Sequence, residues 1–293
     1  MRRLILFLTS LLLSSTLLWA ADQQPDEVYV NNVTEFIHAL RSNRTIVLED
    51  QLEFDDLLER INKFNPSELP EDDKYDEERL ASKQDYRFIY HNTDGYELIL
   101  AGYQNLTIKT GIYAGSRALM RIRPRYAYVL TFVSCSNICL EGLVMGHTDE
   151  GYCDGGVVCF RNSHDIVIRN CDLYGCGTEG IGCVNVERLV MENSKIRDCT
   201  YQIMTLRESR EIQFKRCFFF RNREYSLLDL FTCQDIQFAD CVFSHNQGVL
   251  FNVHDSESIL FERCDVVHSL ENMGYYGDVT FKQCTFSDAF GVK

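Results

Sequence analysis

At 293 residues the chain is long enough to bury a substantial core, and its 45% hydrophobic and 25% charged content is ordinary for a globular protein. The net charge of −14 is not ordinary, and it argues against a nucleic-acid surface, which rests on basic patches and counterion release. A polyanionic ligand would need a local basic site or a bridging cation.

The N-terminus, MRRLILFLTSLLLSSTLLWAADQQ, is laid out as a leader: Arg2 and Arg3, an apolar run, then the small pair Ala20 and Ala21. The expectation is removal of residues 1–21 and a secreted or periplasmic product. An uncleaved anchor is the alternative. No other stretch is long and apolar enough to span a bilayer, so no stable membrane anchor is expected after removal. Residues 22–96 read as a cap. NNVTEFIHALRSN predicts a helix, with Thr34 as N-cap and Phe36, Ile37 and Leu40 on its apolar face. TIVL at 45–48 predicts a first strand. Across the acidic stretch 50–85, LEFDDLLERINKF suggests a helix and SELPEDDKYDEERL a solvated excursion. Sequons at Asn32, Asn43 and Asn105 matter only in a host that glycosylates.

From about residue 97 one phrase returns: DIVIRNCDL, EIQFKRCFF, DIQFADCVF, SILFERCDV, DVTFKQCTF. Its first apolar residue is Ile138, Ile166, Leu189, Ile212, Ile236, Ile259 and Val279, the central steps being 23 or 24 residues. Apolar residues recur two and seven positions on. A further apolar pair precedes the phrase, as in Leu130/Phe132, Val158/Phe160 and Leu228/Leu230. Each period therefore holds three short strands, the signature of a solenoid whose turns bury their faces only by stacking. The column Gly142, Asn170, Asn193, Arg216, Asp240, Arg263, Gln283 falls between strands, and Asn and Gly there suit a turn with a left-handed residue. A leucine-rich repeat is the rival, since I-x-I-x-x-C-x-L at 166–173 matches part of that consensus. The position three before the first Ile is mostly small or polar, however, and no helical spacing follows.

These three-strand coils resemble the right-handed parallel β-helix of the pectate-lyase-like superfamily over about 97–290. More narrowly, GHTDEGYCDGGV, LYGCGTEGI and IMTLR resemble segments of bacterial β-helix repeat proteins, a resemblance that brings no established activity with it. The expected fold is all-β: a right-handed parallel β-helix over 97–293 with an N-terminal capping helix.

Thirteen cysteines in an exported chain suggest disulfides, and the odd count leaves at least one unpaired. Equivalent residues of adjacent coils lie ~4.8 Å apart with parallel side chains, which is poor disulfide geometry. Cys217, Cys241, Cys264 and Cys284 therefore read as an inward ladder of small hydrophobes. Cys153, Cys176 and Cys199, placed in loops, are the better disulfide candidates. Zinc is weakly supported, with no tight CxxC pair.

In enzymes of the resembled fold the first strand of each coil floors a groove for an extended polymer. Here its outward residues are Thr131, Cys159, Gly182, Thr205, Asp229 and Asn252, and then Val133, Arg161, Val184, Arg207, Phe231 and His254. Arg207, Asp229 and His254 are the candidate catalytic residues: Asp229 or His254 to move protons, Arg207 or Arg161 to grip a carboxylate. Thr205, Phe231 and Asn252 would complete a sugar site, with Phe231 packing on a sugar face. A second column after the third strand adds His147, Tyr174, Asp198, Arg221 and His245 as possible loop-wall contacts. The bland alternatives are polar exposed strands and ordinary solenoid corners. Calcium wants six or more oxygens, and this floor offers only Asp229, so no cofactor is expected and calcium is weakly supported. A glycosidase needs a second carboxylate, for which Glu179 and Glu208 are the candidates.

The sequence thus points to an exported, monomeric β-helix that engages an extended polysaccharide along one face. If it is an enzyme, it is a polysaccharide lyase or glycoside hydrolase. The alternative is a non-catalytic structural or glycan-binding solenoid.

Overall fold

The computed structural model describes residues 26–53, 84–91, 95–111, 118–123, 126–148, 155–175, 177–267, 274–275 and 277–287. The leader at 1–21, most of the acidic stretch, and Cys153 and Cys176 lie outside them. The described chain winds as a right-handed parallel β-helix of three sheets, with each coil laying down one strand per sheet in fixed order. In one coil these are Leu130–Val133, Ser136–Glu141 and Val144–His147. We call the sheets they enter the first, second and third.

The aligned phrase forms the second sheet, and the register is the one the repeat implies. Ile138, Ile166, Leu189, Ile212, Ile236, Ile259 and Val279 are successive Cα partners in parallel pairs. Alternation puts Ile166 and Ile168, or Ile236 and Phe238, inside and their neighbours outside. The core is a set of vertical stacks: Phe214, Phe238 and Phe261 lie with ring centroids 4.7 and 4.4 Å apart, and Phe219 stacks on Phe243 at 4.7 Å. Every coil is built of strands, so the leucine-rich alternative falls.

Turning a corner in so few residues requires left-handed backbone, and the fold imposes it on residues that rarely adopt it. All seven members of the predicted turn column have positive φ, from 48° at Asn193 to 71° at Gly142, including Arg216, Arg263 and Gln283. The strain is offset by stacking. The corner N–H groups from Gly142 to Arg263 donate to a carbonyl of the next coil, as Arg216 does to Ala239 at 2.9 Å. Corner side chains also pair from coil to coil, Arg263 with Asp240 at 2.7 and 3.0 Å and Arg188 with Asp165 at 2.7 Å. The sequon residues Asn43 and Asn105 belong to such a ladder: Asn105 donates its amide to Asn43 and Asn137 donates to Asn105.

Polar inward corners are satisfied in the same way. Ser163, Ser194, Ser209 and Ser256 accept the N–H of Cys135, Cys171, Val186 and Cys233 from the preceding coil, and Asn222 and Asn246 continue this at a third corner. The cysteine ladder is present: Cys217, Cys241 and Cys264 are buried free thiols whose Sγ atoms face backbone carbonyls. Cys199 corrects its prediction. It is buried and free, on an inward corner where its N–H meets Asn222, not in a loop able to bend toward a partner.

The N-terminal end differs from expectation in three places. A strand, Asp26–Val30, precedes the predicted one and pairs in parallel with Arg44–Leu48. The helix (α1) spans Val33–Ala39 and is capped by Asn32, whose side chain accepts from Glu35 N–H, while Glu35 accepts from Asn31 N–H. Thr34 is therefore inside the helix, because Asn32, two residues earlier, already accepts the Glu35 N–H as the cap. Leu52–Glu53, expected to open a helix, is the edge strand of the third sheet. α1 lays Val33, Phe36, Ile37 and Ala39 on the end of the core, as a cap should. The first sheet ends in the antiparallel pair Asp85–His91 and Gly95–Ala101, so a boundary at residue 97 falls inside a strand shared with the solenoid.

Candidate functional site

The outer face of the first sheet carries a pocket of about 290 Å³ lined by Tyr128, Arg161, Glu179, Gln202, Thr205, Arg207 and Asp229, with Cys159, Gly182, Cys183 and Val184 at its floor. Strand register brings these residues together. Gly182, Thr205, Asp229 and Asn252 are successive parallel partners, as are Val184, Arg207, Phe231 and His254.

The predicted trio meets here. Asp229 is only 7% exposed; it accepts from Asn252 Nδ2 at 2.5 Å and lies 3.9 Å from Arg207. The Arg207 guanidinium also stands 4.8 Å over the Phe231 ring, and His254 stacks on the other side of that ring at 5.2 Å. His254 Nε2 meets Asn252 Oδ1 at 2.8 Å, so Asn252 links the imidazole to Asp229. Arg161 lines the pocket two coils away from Arg207.

The floor is less open than the alternation predicted. Thr131, Cys159 and Asp229 point outward yet are buried. Tyr128 is part of the reason: it lies beside Gly156 and Gly182, where any Cβ would collide with its ring or hydroxyl. Thr131 also donates to the buried Glu97 from the neighbouring strand.

Glu179 supplies the second carboxylate. It is 6% exposed, its Oε1 accepts from the Tyr128 hydroxyl, and its Oε2 lies 3.0 Å from Thr205 Oγ1. Burial raises its pKa above the ordinary carboxyl value, and nearby Asp229 adds to the rise, against the pull of hydrogen bonds from Tyr128, Thr205 and Thr178. Burial and Glu179 together push the Tyr128 hydroxyl well above its own ordinary value. Thr205 Oγ1 donates to Glu179 Oε2 and also faces the Gln202 side-chain amide at 3.1 Å, so the hydroxyl ties the carboxyl to the segment before the next strand. Glu208 does not join; it is exposed at a left-handed corner.

The second column is elsewhere and is occupied with itself. Tyr174 pairs in register with Arg197, whose guanidinium covers its ring at 4.7 Å. Asp198 takes Arg197 at 2.7 Å and both arms of Arg221 at 2.6 and 2.8 Å. Asp198, Arg221 and His245 are left-handed corner residues, and His245 contacts Ser244 at 2.6 Å. His147 is buried with Nε2 3.0 Å from the Ala127 carbonyl. None of the five lines the pocket: Asp198, Arg221 and His245 sit at corners, and Tyr174 and His147 end strands of the third sheet. In the RIRPR segment, Arg121 is paired with Glu53.

The pocket holds two carboxylates, Glu179 and Asp229, whose oxygens face Tyr128, Thr205, Asn252 and Arg207. Among the described residues no three His, Cys, Asp or Glu side chains converge as a metal site.

Tyr128 and Gln202 went unread in the sequence, since each lies in the segment leading into a strand, where the repeat pattern is silent. Glu179 had one legible signal: an acid set among the glycines of GTEGI, where backbones approach closely. A Cβ on Gly177 would sit 1.2 Å from the Gly155 carbonyl oxygen.

Residues 151–286 match the family model described as a right handed beta helix region. No curated protein sequence matches the chain. Among solved structures, the pectate lyase of Bacillus sp. N165, in complex with trigalacturonate, aligns with a TM-score of 0.51 at 12% identity, over 90% of this chain and 82% of that one. The pectate lyase of Paenibacillus sp. 0602 gives 0.45 at 7% identity, over 84% and 60%. The tailspike protein of E. coli bacteriophage HK620, in complex with a pentasaccharide, gives 0.46 at 10%, over 89% and 54%. Identities this low speak to fold and not to chemistry. The chain is a right-handed parallel β-helix, and it shares that fold with the pectate lyase of Bacillus sp. N165.

Proposed function

We propose that this chain binds an extended polysaccharide across the outer face of its first sheet and hydrolyses the glycosidic bond over the pocket. The observation that carries the reading is a buried carboxyl with a raised pKa, Glu179, sharing one pocket with a second carboxylate, Asp229. Glycoside hydrolysis needs this asymmetry: one carboxyl that keeps its proton for the leaving oxygen, and one carboxylate that activates water or attacks the anomeric carbon. Glu179 takes the first role and Asp229 the second. Thr205 bridges them, bonded to Glu179 and in register with Asp229. Arg207 offsets the Asp229 charge, and Phe231 with His254 offers a flat flank for a sugar ring. A solved pectate lyase that shares this fold, in complex with trigalacturonate, supports a saccharide ligand. The reading includes export, removal of the leader, and action as a monomer.

The test is turnover by the purified chain on a broad polysaccharide panel, following reducing ends and the ultraviolet absorbance of unsaturated uronates. Reducing ends without absorbance are expected, and Glu179→Gln should cut turnover by roughly 10²–10⁴-fold with folding retained. Absorbance would replace hydrolysis with a lyase reaction. Binding without turnover in the native chain would leave a glycan-binding solenoid.

A further inference from the structure

Just before each strand of the first sheet, the linking segments stack coil on coil. From the strand register, Thr178, Tyr201, Tyr225 and Gly248 are equivalent positions in four successive coils. Tyr201 and Tyr225 form a ring pair with centroids 5.1 Å apart, tilted by 39°, and Tyr225 N–H donates to the Tyr201 carbonyl. Tyr225 is 61% exposed, the highest value among the exposed large hydrophobic side chains of the described residues. The ladder then stops. The next rung is Gly248, with φ at +109° and its Cα so close to the chain below that a Cβ would lie 2.3 Å from the Tyr225 carbonyl oxygen. The position directly above Tyr225 therefore cannot carry a side chain, and among the described residues no rung stacks on the far face of the ring.

Gln202, the residue after Tyr201, lines the pocket and meets the Thr205 hydroxyl. The ring pair therefore lies one residue in sequence from the pocket lining, at the opposite end of the strand from Phe231 and His254. Glu224 and Gln247, the residues before Tyr225 and Gly248, are both exposed.

We propose that Tyr225, backed by Tyr201 and vacated above by Gly248, is a stacking subsite for one pyranose ring of the bound polysaccharide, outside the reacting centre. The flat negative face of a tyrosine ring suits the C–H face of a sugar, and a rung spacing of ~4.8 Å leaves the thickness of one ring where the side chain is missing. The subsite rests on the polysaccharide reading, and it adds a second contact point that fixes how the polymer crosses the sheet: from the Tyr225 margin over Thr205 to the Phe231 flank.

The experiment uses the full chain in the Glu179→Gln background, so that the probe survives. Affinity electrophoresis against a panel of soluble neutral and acidic polysaccharides identifies one that binds, and its Kd is then measured for Tyr225→Ala and Tyr225→Phe. Tyr225→Ala should weaken binding about tenfold, while Tyr225→Phe, which keeps the ring, stays within about twofold. In the catalytic background, Tyr225→Ala should raise KM and leave kcat unchanged. Unchanged affinity in Tyr225→Ala overturns the subsite, and so does a fall in kcat at constant KM, which would put the ring at the reaction itself. A chain that binds a polysaccharide through Tyr225 yet never turns it over keeps the subsite and defeats hydrolysis. A chain that binds no member of the panel defeats both.

Discussion

The hydrogen bond from Tyr128 to Glu179 runs across the Cα of Gly182, so close that a Cβ there would lie 2.9 Å from both oxygens. The first sheet has left one outward position blank, and the acid and its phenol occupy the space. Gly182→Ala should therefore push the pair apart and destabilise the chain by about 1–3 kcal/mol, the usual cost of overfilling a packed site. Chemical denaturation read against the native chain checks it. An unchanged midpoint would mean that the carboxyl swings aside freely and that the notch does not hold it.

Glu179 also leaves a signature in stability against pH. Its folded pKa is raised, so its contribution is fully present below the ordinary carboxyl value and is lost as pH climbs through the folded value. Asp165, held down to about 2 by Arg188 and His164, acts in the opposite sense, as does Asp240 beside Arg263. These act equally in a variant that changes Glu179 alone. Glu179→Gln cannot ionise, so its melting temperature should gain on the native chain as pH rises from about 4 to about 8. A constant offset would place the Glu179 pKa in the ordinary range and remove the support for a proton donor.

The thiols make a prediction independent of the groove. Burial pushes Cys135 and Cys159 up to about 12, and a protonated, enclosed thiol is inert. Alkylation of the native chain, mapped by mass spectrometry, should among the described cysteines label Cys139 and Cys284, which are half-buried, well before Cys217, Cys241 or Cys264. Unfolding should release the whole set. Rapid native labelling of Cys241 would contradict the stacked ladder.

What the sequence determined by itself was the architecture. A solenoid repeats one local solution, so its period, its inward columns and its register are written as recurring letters, and the parallel pairs follow the alignment of Ile138 through Val279. The trio Arg207, Asp229 and His254 was legible for the same reason, since register alone makes Asp229 the partner of Thr205 and Asn252. Tertiary structure decided what the repeat does not encode. Whether an outward residue meets solvent depends on what folds over it, and Tyr128 covers part of the floor from a segment outside the pattern. Whether a polar column is a site or a corner depends on its partners, and Asp198 and Arg221 turned out to bind each other. The pairing of Glu179 with Tyr128 joins residues from different coils across a glycine, and only the stacked chain brings them to one pocket, out of water, where a carboxyl holds its proton more tightly.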